Sequence, residues 1–198
     1  VVLSTKVGYG IPGVPDWTSG CITAGVEAAL GRLRTDRLDL VHLHSCGPDL
    51  LVRGDLTLAL RQAVEAGKVR VAAYSGEGPA LEAAVRSGAF GAVQCSVSPV
   101  DQAAFPIIGE AVGRGLGVLA KRPLGNAPWR FVDRPEEADV AEAWVRFRAL
   151  GLESPAAGFT DLFARFSSFS PGVSSVLLGS ASSAHLAEVA AALAMAPL

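Results

Sequence analysis

The sequence has no excess of charge of either sign and no long apolar segment. Its 198 residues contain 17 Lys and Arg against 19 Asp and Glu, a formal net charge of −2. This balance excludes a basic surface for nucleic acid or anionic lipid, so neither partner is expected. No run approaches the roughly 18 consecutive apolar residues of a membrane-spanning helix. Half of the residues are nevertheless apolar, which excludes a disordered chain and predicts a large folded core.

Cysteine and histidine are also scarce, with three residues of each. The odd number of cysteines, without C-x-x-C spacing, fits neither a disulfide framework nor a zinc ribbon and predicts reduced thiols in a cytoplasmic protein. Cys46, two residues after His44, is the one candidate for a reactive thiol. His42 and His44 form an H-x-H pair, but His185 is the only further histidine. These ligands are too few for a metal hydrolase, so no metal site is expected.

Short apolar runs alternate with amphipathic segments along the chain. The runs indicate six buried parallel strands, at residues 1–5, 38–43, 69–74, 92–96, 116–120 and 173–178. The segments between them have helical spacing, and Gly67, Gly88 and Gly115 are placed to end three helices. Repeated β-α-β order with right-handed crossovers predicts a parallel sheet covered by helices. Residues 122–171 lack a strand pattern and are predicted to form a long loop with two or three helices.

Two fold classes contain such a sheet. An open, doubly wound sheet that binds a dinucleotide has a glycine-rich turn between its first strand and first helix. Here the first strand is followed by Gly8, Gly10, Pro12 and Pro15, which predict a loop. We therefore predict an α/β fold, a parallel (β/α)8 TIM barrel of which this chain holds about six strands, as a single domain over residues 1–198. The absence of an initiator Met favours a portion of a longer protein, with two further βα units, roughly 60–80 residues, before residue 1.

Polar side chains at the carboxyl ends of barrel strands face the mouth where barrel active sites lie. Lys6 ends the first strand, and an ammonium buried there would hold an anion or lower the pKa of a nearby phenol. His44 ends the second strand and suits a hydrogen bond to a substrate oxygen, with His42 packed below it. Tyr9 and Asp16 follow Lys6 in a loop and are not expected to be catalytic.

The later strands end in groups that suit a nucleotide. Ser75 and Gln94 are uncharged hydrogen-bonding residues that suit an amide such as a nicotinamide carboxamide, although backbone capping would explain them equally well. Lys121 and Arg122 are adjacent cations that favour a phosphate. The segment 179–182, Gly-Ser-Ala-Ser, leads into the last helix, where free N–H groups favour an anion.

Several segments together resemble the aldo-keto reductases, most of all a bacterial branch with an AKRPL segment. They are, in order, STKVG, LDLVHLH, GKVRVAAYSGEG, VQCS, GLGVLAKRPLGNAPW and SVLLGSASSAHLAEV. The resemblance covers essentially the whole chain. It implies an NAD(P)H-dependent oxidoreductase that reduces aldehydes or ketones to alcohols by hydride transfer with acid catalysis and without metal. NADP is the implied cofactor, with NAD as the alternative, and the implied partner is a small carbonyl substrate.

The resemblance also implies residue roles. Lys6 matches the lysine and His44 the histidine of the family's catalytic Asp, Tyr, Lys and His. In the family the tyrosine protonates the carbonyl oxygen, the lysine lowers the tyrosine pKa, the aspartate holds the lysine and the histidine orients the carbonyl. The Asp and Tyr lie on a family strand that would precede residue 1, so this chain alone is expected to be inactive.

The cofactor positions also carry over from the resemblance. The expected set is Ser75, Gln94, Lys121, Arg122, Pro123, Leu124, Gly179, Ser180, Ser182 and Glu188. Gly76 stands where an asparagine is usual, and Lys121 stands where many members have a tyrosine that stacks on the nicotinamide. Gly179 and His185 replace a lysine and an arginine that often grip the 2′-phosphate, which leaves the choice between NADP and NAD open.

Two other functions stay open at this stage. The missing tyrosine and the altered adenine site would also fit a non-catalytic, nucleotide-sensing relative. The less favoured alternative is a metal hydrolase that uses His42 and His44 as ligands.

Overall fold

The computed structural model describes residues 1–153, 155 and 158–198, along which six strands alternate with eight helices. The strands are β1 (Ser4–Val7), β2 (Leu38–His44), β3 (Val69–Ser75), β4 (Ala92–Ser96), β5 (Gly117–Lys121) and β6 (Ser175–Val176). The helices are α1 (Ser19–Leu33), α2 (Pro48–Arg53), α3 (Asp55–Glu65), α4 (Gly78–Arg86), α5 (Phe105–Gly113), α6 (Ala138–Leu150), α7 (Gly158–Phe169) and α8 (Ser183–Leu193). A short 3-10 turn covers Pro128–Arg130.

The strands form one sheet in the order β1-β2-β3-β4-β5-β6, so neighbours in sequence are neighbours in space. The pairings β1–β2, β2–β3, β3–β4 and β5–β6 are parallel, as the sequence predicts. The predicted first strand is placed too early, because β1 begins at Ser4 and includes Lys6. Leu3 lies just before β1, where the Asp39 carboxylate accepts its backbone N–H at 2.9 Å. The last predicted strand is shorter than expected, at two residues.

The chain divides into two compact units. The first consists of Val1–Gln94 and Glu110–Gly117, and the second of Cys95–Gly109 and Val118–Leu198. The first unit therefore holds β1 to β3 and most of β4, and the second holds β6 and most of β5.

In the first unit, helix α1 packs closely on strand β1. Thr18 begins the helix, since its hydroxyl oxygen accepts a hydrogen bond from the backbone N–H of Cys21 at 3.2 Å. The buried face of α1 carries Ile22, Val26 and Leu30. A Cβ atom at Gly25 would lie 3.0 Å from a methyl carbon of Val7, so glycine permits the close approach of helix to strand.

In the second unit, an aromatic cluster fills the space between α6 and α7, which lie in the segment 122–171 where the sequence predicts two or three helices. Phe163 of α7 is fully buried, with its ring centroid 4.7 Å from that of Trp129 and 6.1 Å from that of Phe147. The Ser167 hydroxyl lies within 2.9 Å of the backbone oxygens of Val97, Pro123 and Phe163. The loop after β5 is therefore tied to α7.

The predicted helix ends agree with the backbone. Gly67 and Gly88 have φ values of +73° and +70°, just beyond the ends of α3 and α4. Within the described ranges, every helix is too short or too polar to span a lipid bilayer.

Candidate active site

In the first unit, the register of the parallel strands places the predicted polar residues on one face. Lys6 is opposite His42, His44 is opposite Ser75, and Ser75 is opposite Gln94. Directly paired residues point to the same side of a sheet, and residues two apart on one strand do so too. Lys6, His44, Ser75 and Gln94 therefore share a face near the carboxyl ends of their strands. We call His44, Ser75 and Gln94 the polar row.

Lys6 differs from the expectation in its burial. The sequence suggests an ammonium buried in a barrel mouth, whereas Lys6 is exposed. The reason is its position on β1, the first strand in the order of the sheet, which pairs with β2 alone among the described strands. Its charge still reaches the neighbouring strand, because it is one of the causes that lower the pKa of His42.

His42 lies two residues before His44 on β2 and is fully buried, as expected for the packed member of the H-x-H pair. Its Nε2 atom lies 3.0 Å from the Ser4 hydroxyl oxygen. The pKa of His42 is lowered from 6.5 to about 4, chiefly by burial, with smaller lowering effects from the positive charges of Lys6 and His44 and an opposing effect from the backbone of Tyr74. His42 is therefore a neutral structural residue at neutral pH.

This shift makes the stability of the fold depend on pH. The unfolded chain takes up a proton on His42 near pH 6.5 and the folded chain only near pH 4. His42 should therefore cost no stability above pH 6.5. As the pH drops from 6.5 to 4, its protonation in the unfolded chain should lower the free energy of unfolding by up to about 3 kcal/mol. Denaturant unfolding measured at several pH values in this range should show that the free energy of unfolding falls less steeply in His42→Asn than in the wild type. The surface variant His185→Asn should keep the wild-type slope, and an equal slope in all three proteins would contradict the assignment.

Ser75 and Gln94 each have a buried polar side-chain atom that lacks a hydrogen-bond partner among the described residues. Ser75 is 0% and Gln94 3% exposed, and neither Ser75 Oγ nor Gln94 Oε1 has a hydrogen-bond partner among the described residues. Such orphaned atoms are rare in folded proteins and costly unless a ligand or water pairs with them. A serine hydroxyl can donate to a carboxamide oxygen, and a glutamine oxygen can accept from a carboxamide N–H. The pair therefore fits the carboxamide of a nicotinamide.

The glycine at position 76 is explained by the neighbouring tyrosine. A Cβ atom at Gly76 would lie 2.5 Å from the hydroxyl oxygen of Tyr74, which donates a hydrogen bond to the backbone oxygen of Cys46 at 2.7 Å. The Tyr74 ring is fully buried and occupies the space that a larger residue would need. An asparagine at this position is therefore incompatible with the present packing.

The reactive thiol suggested at Cys46 is a wrong prediction. Cys46 is 1% exposed, and burial raises its pKa to about 11. Because the thiolate is the nucleophilic form, this side chain is unreactive at neutral pH.

Tyr9 is not expected to be catalytic from the sequence, yet in the structure it contacts His44 of the polar row. Its hydroxyl oxygen lies 2.6 Å from His44 Nδ1, and the two rings are 5.1 Å apart at an interplanar angle of 20°. Asp16 has a structural role in the same loop, where its carboxylate accepts the backbone N–H of Gly10 at 2.9 Å. The only sequence signal for Tyr9 is its place three residues after Lys6.

In the second unit, one cavity of about 680 Å³ collects most of the predicted cofactor residues of that unit. Its lining includes Arg122, Pro123, Leu124, Gly179, Ser180, Ser182 and Glu188. Lys121, at the end of β5, is half-buried and is not part of the lining. Trp129 contributes one wall and is also held by the aromatic cluster.

The turn before α8 gives this cavity a site for an anion. Ser180 Oγ accepts the backbone N–H of Ser182 at 3.0 Å, and Ser182 Oγ accepts that of His185 at 3.4 Å, which starts the helix. The cavity therefore receives the N-terminal end of an 11-residue helix, where N–H groups and the helix dipole favour negative charge.

Arg122 is already paired in the structure. Its guanidinium donates to the Asp139 carboxylate at 2.8 Å, and both side chains are about half exposed or more. An exposed ion pair of this kind contributes only about 0–1 kcal/mol, so a phosphate in the cavity could compete for the arginine. Among residues 1–153, 155 and 158–198, no three His, Cys, Asp or Glu side chains are grouped so that they could hold a metal ion.

Comparisons with known proteins agree with this architecture. A model of the aldo/keto reductase family matches residues 1–198. An aldo-keto reductase from Bacillus halodurans in its holo form superposes with a TM-score of 0.84 at 19% identity, over 100% of this chain and 68% of that chain. Its apo form gives a TM-score of 0.80 at 20% identity, over 100% and 67%. The sequence has no significant match among curated proteins.

The structural likeness confirms the predicted fold class, an α/β sheet of six parallel strands from an incomplete (β/α)8 barrel. The family match extends over every residue of the sequence. Members of this family are oxidoreductases that generally use NAD(P)H and act on small carbonyl compounds. This chain belongs to the aldo/keto reductase family.

Proposed function

We propose that this protein reduces aldehydes or ketones to alcohols with NADPH, or NADH, as the hydride donor. The observation that carries the proposal is the polar row, which lies on the same face as Lys6. Within the part of the chain that the structure describes, one buried polar atom of Ser75 and one of Gln94 have no hydrogen-bond partner. Orphaned buried atoms indicate a ligand with matching hydrogen-bonding groups. A nicotinamide carboxamide has both the acceptor and the donor that this pair requires.

The residues of each unit have separate tasks in this proposal. Bound NAD(P)H would supply the hydride, while Ser75 and Gln94 hold its carboxamide. His44 donates a hydrogen bond to the carbonyl oxygen of the substrate, and the ammonium of Lys6 stabilises the negative charge that develops as the hydride reaches the carbonyl carbon. The oxygen then takes up a proton to give the alcohol, and the tyrosine of the family's catalytic set is the implied donor of that proton.

In the second unit, we assign phosphate binding to the helix end at Ser180 and Ser182. The remaining residues assigned to the cofactor there are Lys121, Arg122, Pro123, Leu124, Gly179 and Glu188. Gly179 and His185 line the cavity without a permanent positive charge, whereas Arg122 and Arg130 of the same lining carry one that would favour a 2′-phosphate. We therefore expect the protein to accept both NADPH and NADH. We assign activity to the protein in a form that also carries the family's catalytic Asp and Tyr, called the full protein below. The odd number of cysteines without C-x-x-C spacing supports a cytoplasmic location.

Ser75→Ala provides a test in which binding and stability change in opposite directions. Removal of an unpaired buried hydroxyl should raise the melting temperature of the ligand-free protein, by about 2–4 °C for about 1 kcal/mol. The same change should weaken NADPH binding about tenfold, because a hydrogen bond to the carboxamide is lost. Differential scanning fluorimetry and quenching of NADPH fluorescence measure the two effects.

Ser167→Ala is the matched control for this variant. Ser167 is equally buried, but its hydroxyl lies within hydrogen-bonding distance of three backbone oxygens. Its replacement should lower the melting temperature. If Ser75→Ala is destabilised in the same way and binds NADPH normally, the hydroxyl has a structural role and the proposal loses its main support.

The altered adenine site, in which Gly179 and His185 replace a lysine and an arginine, fits one alternative, a protein that senses the nucleotide without catalysis. Tight NADPH binding with no turnover of p-nitrobenzaldehyde or of a panel of aldehydes and ketones would support that alternative. Turnover by the full protein would exclude it.

A further inference from the structure

The Tyr9 hydroxyl is placed to control the imidazole of His44. It lies 2.6 Å from Nδ1, the ring nitrogen nearer to the backbone. A neutral imidazole has one nitrogen that carries a proton and one that accepts a hydrogen bond. A group that donates a hydrogen bond to Nδ1 therefore keeps the proton on Nε2, which then acts as a donor. A group that accepts a hydrogen bond from Nδ1 makes Nε2 an acceptor.

The loop after β1 holds the Tyr9 ring in place although the side chain is 48% exposed. The ring contacts His44, at a centroid distance of 5.1 Å, and Trp17, at 5.6 Å. Trp17 is itself held, because its backbone N–H donates to the Gly8 oxygen at 2.7 Å. A Cβ atom at Gly8 would overlap the Trp17 ring, so only glycine allows the loop to close this tightly.

A phenol is a stronger proton donor than a neutral imidazole N–H, and an unprotonated imidazole nitrogen is a good acceptor. The favoured hydrogen bond therefore runs from the Tyr9 O–H to His44 Nδ1. We propose that Tyr9 is a positioning residue that keeps His44 in the tautomer with its proton on Nε2. His44 then meets a carbonyl oxygen as a hydrogen-bond donor. This inference rests on the proposed reductase function for its consequence, whereas the tautomer itself can be measured without any activity.

The tautomer is tested directly by nitrogen NMR of the full protein labelled with ¹⁵N-histidine, at a pH where His44 is neutral. The signals of the three histidines can be assigned with His42→Asn and His185→Asn variants. In the wild type, His44 Nδ1 should show the shift of an unprotonated nitrogen that accepts a hydrogen bond. In Tyr9→Phe, which keeps the ring and removes the hydroxyl, the Nδ1 signal should move away from its hydrogen-bonded position.

Tyr74→Phe is the matched control, since it removes the only other tyrosine hydroxyl of the sequence. Its hydroxyl bonds to the Cys46 backbone and not to a histidine. This variant should be less stable, because the backbone oxygen loses a buried partner, while the His44 tautomer stays as in the wild type. Equal NMR changes in both tyrosine variants would mean that general loosening, and not the Tyr9 hydroxyl, acts on His44.

Steady-state kinetics with NADPH and p-nitrobenzaldehyde test the consequence. Tyr9→Phe should lower kcat about tenfold, the effect of one lost hydrogen bond, with the KM for NADPH unchanged. A proton found on Nδ1 of wild-type His44, or an unchanged Nδ1 signal in Tyr9→Phe, would overturn the inference. If the NMR result is as expected and the wild type reduces no carbonyl compound, the tautomer assignment stands and the proposed function fails.

Discussion

Replacement of Lys6 by methionine is expected to lower kcat at least about 100-fold, with NADPH binding unchanged. Methionine keeps an unbranched side chain that is one heavy atom shorter, and it removes the positive charge. Lys6 shares one face of the sheet with His44 and the orphaned atoms of Ser75 and Gln94. A charge at this position opposes the cost of forming a negative oxygen on the substrate. Stopped-flow measurement of NADPH oxidation gives the rate, and fluorescence titration gives the binding.

Lys68→Met is the control for this prediction. Lys68 lies on the surface in an ion pair with Glu27, and about half of each side chain is exposed. Its loss should cost little stability and leave the reaction rate unchanged. A fall of less than about tenfold in Lys6→Met, or an equal fall in Lys68→Met, would show that the ammonium of Lys6 does not act on the reaction.

Replacement of Phe163 by alanine is expected to produce the largest loss of stability, about 3–5 kcal/mol. Phe163 is fully buried at the centre of the aromatic cluster of the second unit. The substitution would remove its contacts with Trp129 and Phe147 and leave a cavity between helices that cannot close completely. Thermal unfolding should show a melting temperature lower by about 10 °C. Because Trp129 also lines the cavity of about 680 Å³, the substitution should also loosen the wall of that cavity.

Phe131→Ala is the matched control for the core variant. Phe131 is 40% exposed, and its hydrogen bonds use backbone atoms: its oxygen accepts from the Trp144 indole N–H, and its N–H donates to the Pro128 oxygen. Its replacement should change stability by no more than about 0.5 kcal/mol. Equal destabilisation by the two substitutions would contradict the assignment of the second core to the cluster around Phe163.

The fold could be predicted from the sequence because its signals are local. Buried strands without polar alternation, amphipathic helices and glycines at the helix ends each occupy a few neighbouring residues. The boundaries of β1 and β6 were harder to predict, since they depend on pairing with other strands. At β1, for example, the backbone of Leu3 is bonded to the side chain of Asp39, 36 residues away.

The residues of the candidate site could be proposed from the sequence, whereas the burial and the contacts of these residues could not. The register confirms that Lys6 and His44 lie on one face, whereas their catalytic roles stay predictions. The exposure of Lys6 depends on which strands flank β1, and the high pKa of Cys46 depends on burial by distant segments. The contact between Tyr9 and His44 joins residues 35 apart, which no local pattern indicates. The sequence likewise does not show that a Cβ atom at position 76 would overlap the Tyr74 side chain.

Transfer of deuterium from the cofactor tests the central claim most directly. NADPH deuterated at the transferable position, on each face of the nicotinamide in turn, is incubated with the full protein and p-nitrobenzaldehyde. Mass spectrometry of the alcohol should find one deuterium on the carbinol carbon from one of the two faces, and Lys6→Met should form this product at a rate at least about 100-fold lower. Tight NADPH binding with no deuterated alcohol from either face would contradict the account.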